Sequence, residues 1–242
     1  MTQDTNNIGT ANIWPQHLID ETSLARTLWN IEHSLDNERT NADDKVKEAL
    51  QFVASRQGLK GSYRGALFAP LPDDRSLGLL VPTGENASPS GAAVMHVLGE
   101  EAAGLLAKHG ATDGYDYDAV WDMIGSRFGC GFTTGETEGA RFCCKRCSVA
   151  WWRAIGAGKP YGWEDILATA VRMLAADRQP GSRWQHYPFY YTVLTLTDMP
   201  VPEATAELQA VRPALERAFS RLTVASSSDY FRHKALRTAL CA

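Results

Sequence analysis

Three cysteines fall within five residues of the stretch RFCCKRCSVAWW, Arg141 to Trp152, and a fourth, Cys130, lies upstream. Soft sulfur ligands this close together suit a zinc or iron site, a disulfide couple or an activated thiolate. If the helix carrying the tryptophans begins near Glu138, Cys147 lies one turn from Cys143 and three residues from Cys144, and can face either. If it begins near Ser148, Cys144 and Cys147 form a C-x-x-C ahead of a helix N-terminus. There the helix dipole and the adjacent Lys145 and Arg146 favour thiolate. A four-thiolate zinc site needs two separated pairs, and Cys130 stands alone on its side. A metal held by Cys130, Cys143, Cys144 and Cys147 therefore calls for a histidine or carboxylate to complete it. The plainest alternative is packing, because cysteine is often a small buried side chain.

A histidine is available in HVLGEE, where His96 and Glu100 are four apart and share one helix face. That geometry lets imidazole and carboxylate hold a common metal, or lets the glutamate orient the histidine as an acid or base. The same pair also fits a packing role among Val94, Val97 and Leu98. The segment RWQHYPFYYTVL places Trp184, His186 and Tyr187 beside Phe189, Tyr190 and Tyr191. Aromatics at this density fill a core or line a pocket, and His186, at a proline-bounded turn, is the candidate for facing a cavity. Tyr63 and Arg64 belong to a long connection, about Gly58 to Gly91, that is too apolar to leave in water. It reads as an ordered wall or lid, with Arg64 placed to meet an anionic group of a ligand or a surface carboxylate. The acidic run DGYDYDAVWD lacks the glycine and terminal glutamate of a calcium loop, and its aspartates suit N-caps.

The elements that must carry these residues are helical. HLIDETSLARTLWNIEHSL and DDKVKEALQFVASRQG show apolar residues at helical intervals and form a first pair. SPSGAAVMHVLGEEAAGLLAKHG with YDAVWDMIGSRFG forms a second, and CSVAWWRAIGAG with WEDILATAVRMLAADRQPG a third. YPFYYTVLTLTDM and PEATAELQAVRPALERAFSRL complete the set, with Pro213 bending or breaking the last helix. Strand-like alternation is scarce. The expected fold is all-α, stacked helical hairpins in one domain over 15–242, with 1–14 a loose polar segment.

The helices closing these pairs end alike: SRQGLKGSY, DRQPGSRWQHY and a weaker SRFGCGF. Gln57 followed by Gly61-Ser62-Tyr63, and Gln179 followed by Gly181-Ser182-Arg183-Trp184, resemble the glutamine-glycine-aromatic turns of the squalene cyclase and protein prenyltransferase group. The resemblance implies an α/α toroid and suggests prenyl or terpenoid chemistry by analogy of fold alone. It covers only these turns. The chain has no DxDD acid motif, its nearest acidic clusters being NADDKVKE and DGYDYD, and no counterpart of the Asp, Cys and His zinc set of the prenyltransferases.

With 242 residues, 44% hydrophobic and 21% charged, the chain can bury a sizeable core. A net charge of −4 gives no basic excess, so nucleic acid is not an expected partner. No run reaches a membrane span and the start has no leader pattern, so the expected location is cytoplasmic. Five cysteines, four of them between Cys130 and Cys147, then point to metal or redox chemistry rather than to structural disulfides.

The sequence thus predicts an enzyme acting on an apolar small molecule or peptide in a pocket of aromatic turns. Cys144 or Cys147 would bind zinc or iron or serve as thiolate, and His96 with Glu100 would be acid or base. Tyr63, Arg64, Trp184, His186 and Tyr187 would hold the substrate. Two alternatives stand beside it: a non-catalytic helical scaffold that binds a peptide or partner protein, and a thiol redox sensor built on Cys144 and Cys147.

Overall fold

The computed structural model describes residues 17–37, 39–40, 42–76, 79–88, 91–111, 113–126, 140–179 and 183–242. The N-terminal segment 1–16, Cys130, Gly181 and Ser182 lie outside these residues. The described chain is all-α apart from one small ribbon. Its helices are α1 (Leu24–Asp36), α2 (Asp44–Ala54), α3 (Pro72–Ser76), α4 (Gly91–Lys108), α5 (Tyr117–Gly125), α6 (Lys145–Gly158), α7 (Trp163–Ala176), α8 (Phe189–Asp198), α9 (Pro202–Ala210), α10 (Arg212–Phe219) and α11 (Ser227–Cys241). Two short antiparallel strands, β1 (Leu79–Leu80) and β2 (Asn86–Ser88), interrupt the long connection.

Local chemistry sets the helix ends. Ser23, Asp43, Asp116 and Ser226 each cap a helix by accepting a backbone N–H from the first turn. The expected break near Pro213 occurs at Val211: α9 stops there, and the proline sits in the first turn of α10, where its missing N–H has no helical partner to lose. The sequence reading missed α11. Its apolar pattern is weak, and the signal it carried was the Ser226–Asp229 cap, in which Ser226 Oγ accepts the Asp229 N–H at 3.2 Å and donates to its carboxylate at 2.7 Å.

Packing follows the pairs. α1 packs on α2, α6 on α7 and α8 on α9, while α4 packs on α1 and α6, α6 on α8, and α8 on α11. α11 also reaches α1, through Lys234 to Glu32 at 3.3 Å and to Asp36 at 2.6 Å. Most of α4 is buried, including His96 and Glu100 among its polar residues; a helix covered on nearly all sides is a core element. Both glutamine-glycine turns close an isolated antiparallel bridge, Gln57 with Phe68 and Arg178 with Trp184. The Gln57 side chain accepts the Asp116 N–H at 2.6 Å and donates to its carbonyl at 3.0 Å, tying the first hairpin to the start of α5.

The connection between α2 and α4 is ordered against α1 and α4. Buried Asp74 accepts hydrogen bonds from Ser23 Oγ (2.6 Å) and from the N–H groups of Leu24 (2.8 Å), Ala25 (3.2 Å) and Leu71 (2.8 Å). Its carboxylate thus serves the N-terminus of α1, where negative charge is favoured. Further along, a 3-10 turn at Tyr63–Gly65 lies on α4. Close approach requires Gly99: a Cβ there would stand 2.6 Å from Leu67 Cβ. Gly99→Ala is expected to destabilise the protein by about 1–3 kcal/mol through overpacking, although alanine favours helix. Urea denaturation measures it, and an unchanged midpoint would show that the segment yields freely.

Candidate metal centre and the adjoining cavity

α6 begins at Lys145 with Cys144 as its N-cap, between the two starts considered from sequence. The Cys144 Sγ accepts the Cys147 N–H at 3.5 Å, so the C-x-x-C forms the first turn of the helix. Ser148 holds the approach: its hydroxyl donates to the Cys144 carbonyl (2.8 Å) and accepts the Phe142 N–H (3.0 Å). The tryptophans are anchors. Trp152 Nε1 donates to the Ala140 carbonyl at 2.5 Å and Trp151 Nε1 to the Ile124 carbonyl at 2.9 Å, both rings fully buried.

This frame brings His96, Cys143 and Cys147 together. One ligand-type atom of each lies within 4.8 Å of the others, with His96 and Cys147 buried and Cys143 half-buried. These three could hold a metal ion. Zinc bonds of about 2.3 Å to sulfur and about 2.0 Å to nitrogen place tetrahedral ligands about 3.5–3.8 Å apart, so closure asks for shifts of an ångström or less. His96 is wedged between the rings of Tyr63 (centroids 5.5 Å apart) and Phe142 (5.0 Å). Its Nδ1 lies 3.2 Å from Glu100 Oε1. An imidazole that donates Nδ1–H to a carboxylate is fixed in orientation and keeps Nε2 as the lone-pair nitrogen, the arrangement that serves metal-ligating histidines.

Cys144 is exposed. Interactions with the Cys143 and Cys147 side chains, then the N–H groups of Cys147 and Arg146, hold its thiol far below the usual range against the opposing effect of burial. It lies beside the two cysteines that face His96. Cys130 lies outside the described residues. Cys241 is exposed in the last turn of α11.

The aromatic candidates have partners of their own. Tyr187 is buried, stacked on Trp152 (5.9 Å) and under the Lys145 ammonium (5.5 Å), and its hydroxyl donates to Asp177 at 3.3 Å. Burial and the Asp177 charge push that hydroxyl above its ordinary range. Trp184 is buried and donates to Glu207 at 2.7 Å, the carboxylate that also pairs with Arg178. His186 is exposed, with a left-handed φ of 68°. Arg64 is exposed too, at φ 51°, with its guanidinium 5.8 Å from the Tyr63 ring. Of the predicted residues, the structure gathers His96, Glu100, Cys143, Cys144, Cys147 and Tyr63, with Arg64 against Tyr63 and Tyr187 against Lys145 of the first turn of α6, while Trp184 is engaged by Glu207 and His186 is exposed.

No family model matches the chain, and no curated protein or solved structure is significantly similar to it. No described helix is long and apolar enough to cross a membrane.

Glu100 also lines a cavity of about 320 Å³, whose other charged walls are Glu32, Glu101, Lys108, Arg153, Lys159 and Asp198. Sequence reasoning did not reach it. Arg153 is the hub: Nη2 bonds Glu32 at 2.6 Å, Nη1 bonds Glu101 at 2.5 Å and Nε bonds Asp198 at 2.8 Å. Tyr191 donates to Glu101, and Lys234 reaches Glu32. Helices α1, α4, α6, α8 and α11 each supply a member. The two glutamates move in opposite directions although one guanidinium serves both. Burial raises each carboxyl, but Arg153, Lys234 and Lys108 together pull Glu32 down to about 2, whereas Glu101, beside the Glu32 charge, stays raised. The available signal was Arg153 itself, one cation in the otherwise apolar AWWRAIGAG.

Proposed function

We propose that His96, Cys143 and Cys147 hold a zinc ion with Cys144 as a fourth, exchangeable ligand. We further propose that the protein is a zinc- or thiolate-dependent enzyme acting on a small molecule or peptide. The convergence of three buried or half-buried soft ligands from α4 and the start of α6 is the observation that carries this reading. Mixed imidazole and thiolate donors favour zinc over harder cations. When bound, zinc would supply Lewis acidity and keep a coordinated thiol ionised. Glu100 positions His96, Tyr63 and Phe142 exclude water from its ring, and the exposed Cys144 offers the side from which a substrate can arrive.

An α/α toroid of the squalene cyclase and prenyltransferase type is the architecture we propose around the site. Its support is the succession of α1, α4, α6, α8 and α11 around Arg153 and the matching bridges at the two glutamine turns. The cavity beside Glu100 is the substrate space in this reading, and reactions of transferase or lyase type fit a thiolate or Lewis-acid centre. A redox role is the second reading, favoured by the exposed Cys144 sulfur three residues from Cys147 at the start of α6.

Elemental analysis of anaerobically purified protein, with a thiol count on the same sample, tests the proposal. The expected result is near-stoichiometric zinc with Cys143 and Cys147 protected until a chelator is added. No metal and a thiol pair that oxidises reversibly would move the protein to the redox reading. No metal and inert thiols would leave a helical scaffold.

A further inference from the structure

We infer that a pocket between the start of α8 and the outer face of α10 binds a small phosphate monoester. The pocket holds about 210 Å³ and is lined by Arg183, Tyr190, Ala214, Arg217, Ala218 and Arg221. Three of its six lining residues are arginines, in a chain whose net charge is −4. Residues 214, 217, 218 and 221 follow one another at intervals of three, one and three, so they share one face of α10 and its continuation. The two buried alanines form a floor with no side chain to obstruct a ligand, and the two arginines stand one turn apart.

Arg183 is poised rather than loose, its guanidinium stacked over the Phe189 ring at 4.3 Å. Tyr190 brings a hydroxyl, and its ring lies 5.1 Å from the Arg232 guanidinium, a further cation at the rim. Other arginines in this part of the molecule are neutralised: Arg178 by Glu207 (2.7 Å), Arg212 by Glu216 (3.0 Å) and Arg232 by Asp229 (3.2 Å). Among the described residues, Arg183 and Arg221 have no such carboxylate. Planar guanidinium forks match phosphate oxygens in pairs, and the tyrosine hydroxyl can donate a further bond. At about 30 Å³ per water, the pocket has room for about seven, enough for a phosphate group and a short organic body.

Isothermal titration with inorganic phosphate and with glycerol 3-phosphate, each in chloride buffer, tests the site on the whole chain. The ester is expected to saturate one site and to bind more tightly than inorganic phosphate, which would occupy only the guanidinium end. Arg183→Ala and Arg221→Ala should each weaken binding about tenfold or more, the loss of charge-assisted bonds. Arg221→Lys should not restore it, because an ammonium lacks the fork. Arg212→Ala, which removes an arginine paired with Glu216, is the control and should bind as wild type. All three residues are exposed, and circular dichroism will show that the four variants fold. Equal affinity of wild type and the Arg183 and Arg221 variants would overturn the proposal. So would a lower melting temperature in Arg221→Ala with binding unchanged, which would make the arginine a complement to the C-terminal dipole of α10.

Discussion

Cys147→Ser is expected to retain less than about a tenth of the zinc found in the wild-type protein and to melt well below it. Cys147 is buried in the first turn of α6, and its backbone N–H is already committed to the Cys144 sulfur. A serine hydroxyl is not ionised at neutral pH and is a poor zinc ligand, so the variant loses a bond that nothing nearby replaces. Zinc held by folded His and Cys ligands is worth about 10–16 kcal/mol in small metal-dependent domains. Here a large helical core exists without the metal, so the chain should remain folded while α6 and α4 lose their cross-link. Glu100→Gln gives the graded comparison. It keeps every ligand but weakens the partner that orients His96, and should reduce zinc affinity about 10- to 100-fold at unchanged stoichiometry. Competition with a chromophoric chelator measures both variants. If the wild-type protein holds no zinc and Cys147→Ser differs from it by only about 1 kcal/mol, the cluster is packing and the metal reading falls.

Arg153→Leu should cost about 3–5 kcal/mol at pH 7, because it leaves buried carboxylates without the cation that compensates them. Glu32 and Glu101 are both almost inaccessible, and among the described residues Glu32 alone has a second cation at ion-pair distance, Lys234 at 3.3 Å. The pH dependence distinguishes this mechanism from lost packing. In the wild type, Glu32 is held at about 2 in the folded state, below its ordinary 4.5. It therefore contributes stability that is present above about pH 4.5 and lost as the pH falls toward 2. Glu101 is raised by burial and acts in the opposite sense, its contribution being lost as the pH rises above its ordinary 4.5. Without Arg153 both carboxyls rise, and protonation removes the stranded charge. The difference between variant and wild type should then be largest at neutral pH and shrink by pH 4.5. Urea denaturation at pH 7, 5.5 and 4.5 measures the trend, and a penalty constant across that range would mean that the guanidinium mattered for its shape alone.

Much of the local structure was legible from residue order. Helical apolar spacing located α1, α2, α4 to α8 and the pair α9 and α10, and Pro213 marked their break, because these are contacts and caps within a turn or two. The loop from Gly58 to Gly91 was recognisable as ordered from its apolar content, although its 3-10 turn, α3 and ribbon were not. α11 escaped because a helix that packs mainly through Phe231, Ala235, Leu236 and Ala239 carries too short an apolar stripe to stand out among its serines, arginines and lysines. For the aromatic run, composition could show that Trp184 and Tyr187 sit near one turn. It could not show that their polar ends are spent on Glu207 and Asp177.

Sequence by itself determined the helical class and the shared face of His96 and Glu100, since each depends on neighbours along the chain, and it left two possible starts for the helix that carries the C-x-x-C. Only tertiary structure decided that His96 is the histidine the cysteines meet, and that Cys144 lies outside while Cys147 lies within. It alone built the Arg153 hub from five helices and opened a cavity that Glu100 lines. The reason is physical: helix formation is governed by spacing of a few residues, whereas a ligand set or a buried ion cluster exists only once side chains from distant turns share the same desolvated space.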